Sequence, residues 1–218
     1  PAVVGLIFFF TNKQGLHFTK FSFYKRELLQ ACYNGSSEMV SQLSMAVVTV
    51  LFNIVLMRIA GEHGVAAITI LLYGQFLFNS FYLGFSIGVA PIVGFQYGAQ
   101  NKILLRRVYR ISFLFVIASS ICLLGASEAL SRPIITIFTH DAETFPLALT
   151  GFRLFAFCFL FSGVNITSSG FFTALSNGRV SAILSFCRTF VFTAACLLVL
   201  PHFLGINGAW IAVPAAEA

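Results

Sequence analysis

The sequence predicts an all-α polytopic membrane protein, and three observations lead there. Apolar residues fill 58% of the 218 positions and charged residues only 9%, whereas a soluble domain carries about 25% charge. Mean hydropathy is +0.92, and 27 residues are phenylalanine. The apolar residues also run on in long continuous stretches, where a membrane β-barrel needs short alternating ones. No water-exposed surface can be built from this composition. Disorder, coiled coil, collagen and disulfide scaffold are excluded by the same figures.

A span needs about 20 predominantly apolar residues. Residues 1–10 read as the end of one helix and 11–36 as a cytoplasmic linker. Spans follow at about 37–59, 65–97, 108–127, 145–175 and 180–204, and 206–218 begins a further one that is cut short. The chain opens at Pro1 and closes at Ala218 inside apolar runs, which reads as a fragment of a longer protein. In the linker, Phe18, Phe21, Phe23 and Tyr24 alternate with Lys20, Lys25 and Arg26. That pattern suits a helix lying at the inner membrane surface over 16–30, and equally a link between two halves of a transporter. No internal repeat is visible. Cys32, Cys122, Cys158, Cys187 and Cys196 form no CxxC pair and read as small hydrophobes.

Orientation follows from the basic residues, which stay cytoplasmic. Lys13, Lys20, Lys25 and Arg26 precede the first complete span, Lys102, Arg106, Arg107 and Arg110 lie in the third connection, and Arg179 in the fifth. The second and fourth connections hold only Arg58 and Arg132, beside Glu62, Glu128, Asp141 and Glu143. Odd connections therefore face the cytoplasm. The net charge of +6 is an orientation signal, not a nucleic-acid surface.

At about 100° per residue, polar residues of several spans fall into single stripes. Glu38, Gln42, Thr49 and Asn53 form one; Gln75, Asn79, Tyr82 and Ser86 form the next, continued by Tyr97 and Gln100. Ser162, Asn165, Ser169, Thr173 and Ser176 align on the fourth complete span, and Ser181, Ser185 and Arg188 on the fifth. Lipid cannot hydrogen-bond these groups, so they must face other helices or a watery cavity. Isolated polar residues also glue helices together, but four stripes in one bundle favour a solute pathway. An ionisable group inside a span marks a functional site by default. Glu38, Arg153, Arg188 and Glu217 lie in or at the edges of spans, and the deep Arg188 is expected to pair with Glu38 or Glu217.

The run 84–88 matches the G-x-S-x-G pattern of a nucleophile elbow. Ser86 sits mid-helix, however, and His17, His63, His140 and His202 lie in loops or at helix ends. An intramembrane hydrolase on Ser86 thus lacks an evident base. The same glycines, like Gly94 and Gly98, have the G-x-x-x-G spacing of close helix packing. No catalytic residue and no metal site are expected.

The residues and their order resemble a transporter family. Asn34-Gly35-Ser36-Ser37-Glu38 opens a helix, and the segment Gly61-Glu62-His63-Gly64-Val65-Ala66-Ala67 makes a tight outer turn. Gly88-Val89-Ala90-Pro91 through Tyr97-Gly98-Ala99 closes the next helix. Phe171-Phe172-Thr173-Ala174, Arg188, and Pro201-His202-Phe203-Leu204-Gly205-Ile206-Asn207-Gly208-Ala209-Trp210 follow. Together they resemble the second half of a MATE (multidrug and toxic compound extrusion) transporter. The resemblance implies one six-helix half of a twelve-helix bundle in the inner or plasma membrane of a bacterium. It implies a secondary active exporter of cationic or amphipathic organic compounds, using Na⁺ or H⁺ antiport and no other cofactor. Glu38, Gln42, Asn53, Gln75, Asn79, Asn165 and Arg188 would line the pathway, with Arg153 and Glu217 as supporting charges. One branch of the family carries acids near the middle of its seventh and tenth helices. Here the stretches around Ala46 and 157–165 have none, so the coupling ion stays open. The runner-up is a lipid-linked oligosaccharide flippase of similar architecture, for which Arg153 and Arg188 are few cations to hold pyrophosphate.

Overall fold

The computed structural model describes residues 2–11 and 23–218, and all regular structure among them is helical. Residues 12–22, with the expected linker positions Lys13, Phe18, Lys20 and Phe21, lie outside the described residues, as does the side chain of Glu38. Residues 1–32 and 33–218 form two compact units. The first holds α1 (Ala2–Thr11) and the start of α2 (Lys25–Gly98). The second holds the rest of α2, then α3 (Lys102–Phe138), α4 (Thr144–Ala156), α5 (Phe159–Ala174), α6 (Gly178–Phe186), α7 (Thr193–Leu204) and α8 (Ile206–Glu217). A π-helical stretch, Cys187–Phe192, joins α6 to α7.

Several bounds differ from those read off the sequence. Helix α2 begins at Lys25, inside the expected linker, because no proline interrupts 25–36 and Glu27 sits favourably in its first turn. The stretch 145–175 is two helices bent by 53° at Phe157–Cys158. There the backbone bonds tighten to i−3, from Cys158 to Phe155, Leu160 to Phe157 and Phe161 to Cys158. Three described helical stretches are long and apolar enough to cross a membrane, four if this bent pair is one span.

One of the three, Met39–Gly98, is 60 residues long, about three times what a bilayer needs. Gly61 divides it. Its φ of 59° and ψ of −148° leave the helical region, a conformation that only glycine adopts without strain. A β-carbon at Gly64 would lie 3.1 Å from the carbonyl of Leu56, a residue that a straight helix would hold roughly 12 Å away. The chain therefore doubles back. The same turn recurs between α7 and α8: Gly205 has φ 57° and ψ −138°, and a β-carbon at Gly208 would strike the carbonyl of Leu200. Both turns read Leu-x₄-Gly-x₂-Gly. The inner turns form a second matched pair. Gln100 and Ser176, at φ 56° and 59°, end α2 and α5 in Schellman turns, with Asn101 bonding back to Gln96 and Asn177 to Phe172. Each asparagine then caps the next helix, accepting from Leu104 and Val180.

Packing uses the small residues that membrane helices require in place of a hydrophobic driving force. On α3, Ser112, Val116, Ser120, Ser127, Ser131 and Ile135 form one buried stripe. Gly151 on α4 lets Trp210 and Leu71 close in, where a β-carbon would sit 3.0 and 3.1 Å away. Phe52, Leu56, Ile68, Leu71, Phe155, Phe159, Leu197 and Trp210, all nearly inaccessible, make the core.

Two polar contacts group the connections by end as their alternation requires. At one end, Arg179 Nε donates to Tyr33 Oη at 2.9 Å. At the other, His63 Nδ1 lies 3.1 Å from Asp141 Oδ2 and Nε2 lies 3.1 Å from Glu143 Oε2. Asp141 Oδ2 also accepts from the Thr144 hydroxyl at 2.6 Å and the Thr144 amide at 2.8 Å. These bonds, the hydroxyl's first, hold the Asp141 carboxyl below its ordinary value of 3.8. A lowered carboxylate stabilises the fold above the unfolded value and loses that contribution as pH falls through the folded one. Amide protection at Thr144, corrected for intrinsic exchange, should therefore fade as pH falls below the ordinary aspartate range. Protection unchanged down to pH 2 would remove Asp141 from this clasp.

Candidate functional site

Arg188 is the second residue of the π-helical stretch, and the Thr193 hydroxyl bonds back five residues to its carbonyl at 3.1 Å. Such a bulge frees backbone and turns a side chain out of helical register, often at functional sites. Here it accompanies a contact with α8. Arg188 Nη1 lies 3.1 Å from both Oε1 and Oε2 of Glu217. Asn165 on α5 completes the group, its Nδ2 donating at 2.8 Å to Glu217 Oε2 and to the Glu217 main-chain carbonyl. The Arg188 and Glu217 side chains are 20% and 11% exposed. Arg188 lies roughly 15 Å along the helical run that starts at Gly178, a distance about half the thickness of a hydrocarbon layer. Of the two acids expected as partners for Arg188, the structure brings Glu217 to it.

Below this triad the two expected hydroxyl stripes face each other. Ser169 lies 2.7 Å from Ser181 and 2.9 Å from Ser185, and Thr173 donates to Ser181 at 2.9 Å. A continuous polar seam thus joins α5 to α6 and leads from Thr173 to the triad. Its hydroxyls satisfy one another, which meets the demand that lipid places on buried polar groups and ties the two helices together.

The stripes of α2 behave differently. Among the described residues, Oδ1 of Asn53 and of Asn79 find no hydrogen-bond partner though buried, and neither does the Thr167 hydroxyl on α5. Buried unpaired acceptors cost free energy unless water, an ion or a ligand reaches them. Gln75 is half-buried and Gln42 exposed. No described hydrogen bond links Asn53, Gln75 or Asn79 to the triad. Arg153 is apart from it too, exposed, with its Nε 3.8 Å from Glu128. Tyr82 is fully buried, its Oη 3.0 Å from the Phe159 carbonyl, which accepts, and from the Ser120 hydroxyl. That link to α3 escaped the sequence reading, though the period of small residues on α3 was a signal for it. Ser86 packs against Gly170, where a β-carbon would meet its Oγ; Gly170 is what makes that approach possible.

The MatE family model matches residues 39–198. No curated protein sequence matches the chain. Among solved structures, a MATE in complex with MaL6 superposes with a TM-score of 0.90 at 21% identity, over 99% of this chain and 50% of that one. An outward-facing multidrug resistance MATE family transporter of the MOP superfamily gives 0.89 at 22%, with 99% and 50% covered. A variant of the Vibrio cholerae MATE transporter VcmN gives 0.87 at 20%, with 99% and 49% covered. The chain spans about half the length of these relatives, and at such identities the likeness is one of fold.

Proposed function

This chain belongs to the MATE family of membrane transporters, and from that premise we propose that it forms one half of a secondary active exporter of cationic or amphipathic organic compounds. Export runs by alternating access between two six-helix halves, coupled to Na⁺ or H⁺ entry, in the plasma membrane of a bacterium. The observation that carries this reading is the Arg188–Glu217–Asn165 group, held where a π-helical stretch interrupts the helical ladder between α6 and α7. Transporters place their sites near the midplane on discontinuous helices, and intramembrane charges mark ion and substrate paths. Glu38, Gln42, Asn53, Gln75 and Asn79 would line the pathway, the two asparagines offering free acceptor oxygens to a cation or its water. Arg188 is neutralised by Glu217, and Arg153 has Glu128 beside it. That balance favours cationic cargo over a pyrophosphate-linked oligosaccharide, which needs unpaired positive groups.

The test is dye export by the full-length protein. Expressed in cells lacking their own exporters, it should raise tolerance to ethidium and speed ethidium loss severalfold on energisation. Unchanged dye retention, with membrane insertion confirmed, would overturn the proposal.

A further inference from the structure

Near the inner end of α3, a groove of about 560 Å³ runs along the helix and against the end of α5. Its mouth carries Arg106 and Arg110; its walls include Tyr109, Phe113, Ile117 and Phe171. Arg106, Arg110, Phe113 and Ile117 are spaced 4, 3 and 4 residues apart, so one helix face bears charge at one end and apolar surface below it. The aromatic wall is ordered: Tyr109 lies 4.3 Å from Phe113, and 5.6 Å edge-on from Phe171, between ring centroids. From Arg106 to Ile117 the groove reaches roughly 16 Å inward, the depth of one leaflet's hydrocarbon.

Neither guanidinium has a hydrogen-bond or ion-pair partner among the described residues, and no carboxylate lines the groove. Arginine forks match phosphate oxygens, and basic pockets beside membrane helices on the cytoplasmic side hold anionic headgroups. We propose that the α3–α5 groove binds one anionic phospholipid of the inner leaflet, its phosphate between Arg106 and Arg110 and an acyl chain along Tyr109, Phe113, Ile117 and Phe171. A bound lipid there would bridge α3 to α5, the helix that supplies Asn165 to the triad.

The experiment is native mass spectrometry of the delipidated full-length protein titrated with dioleoyl phosphatidylglycerol. Phosphatidylethanolamine with the same chains and inorganic phosphate serve as competitors. Phosphatidylglycerol should bind at least tenfold more tightly than phosphatidylethanolamine, and millimolar phosphate should not displace it. At about fivefold for each basic residue, R106Q/R110Q should weaken binding roughly 25-fold, whereas Arg107→Gln, off the groove, should stay within twofold. R106K/R110K keeps the charge and should recover most of the affinity, which separates loss of the site from misfolding. Ile117→Trp, filling the floor with both arginines intact, should also weaken it. Equal affinity for the two lipids, binding untouched in R106Q/R110Q, or displacement by phosphate would each overturn the proposal.

Discussion

Glu217→Gln alone, or Arg188→Gln alone, is expected to destabilise the full-length protein by about 3 kcal/mol and to abolish export. Removing one member of a buried ion pair leaves the other charge uncompensated, at a cost of roughly 3–5 kcal/mol. The low end applies because Arg188 keeps 20% of its side-chain surface exposed. The glutamine at 217 would still accept from Asn165 and Arg188 at its one amide oxygen, while its NH2 group, in place of the other oxygen, would face Arg188 as a second donor. The double variant R188Q/E217Q removes both charges and should recover most of the stability lost in either single change. The exchange R188E/E217R should recover less. Asn165 now donates to Glu217 Oε2 and to the main-chain carbonyl at 2.8 Å, and an arginine at 217 would meet a donor there. Thermal unfolding in detergent and ethidium export, measured on all four variants, decide the matter. Singles as stable as the parent, or no recovery in either double variant, would show that the pair does not act as a unit.

The membrane class was legible because composition alone dictates it, and the polar stripes because helical periodicity makes them countable. What faces each stripe was not legible. Ser169 and Thr173 meet Ser181 and Ser185 only because the Schellman turn at Ser176–Asn177 folds α6 back onto α5. The choice between Glu38 and Glu217 as partner for Arg188 likewise depends on the reversal at Gly205, which returns α8 beside the π-helical stretch. The break at Phe157–Cys158 has no glycine or proline to announce it; it is a response to packing, with Tyr82 bonded to the Phe159 carbonyl just beyond the bend. The π-helical turn is similarly silent in the sequence. The paired glycines of the two outer turns were visible as letters, but two short matches 144 positions apart carry no weight until both glycines prove to share one backbone conformation.

Those turns give the second large effect. Gly208→Ala should destabilise the protein by about 3 kcal/mol, the upper end for overpacking, and impair export. Its β-carbon would meet the Leu200 carbonyl group and lie 2.7 Å from Pro201 N; these are backbone atoms in the last turns of α7 and cannot rotate away. Relief requires α8 to shift against α7. Such a shift would pull Trp210 from its seat against Gly151 and Glu217 from Arg188, so stability and export should fall together. Gly64→Ala is the milder counterpart on distance: the Leu56 carbonyl is 3.1 Å away and the nearest atom, the backbone-fixed β-carbon of Ala60, is at 2.8 Å, both farther than the Leu200 carbonyl is from position 208. It should cost less than half as much. Gly125→Ala supplies the opposite sign. Nothing lies within 4 Å of its β-carbon position on α3, and replacing a mid-helix glycine by alanine should stabilise by roughly 0.5–1 kcal/mol. Thermal midpoints of the three variants must rank 125 above the parent, then 64, then 208. A Gly208→Ala protein that melts with the parent would mean that the α7–α8 turn is looser than its geometry requires, and that α8 does not fix the position of Glu217.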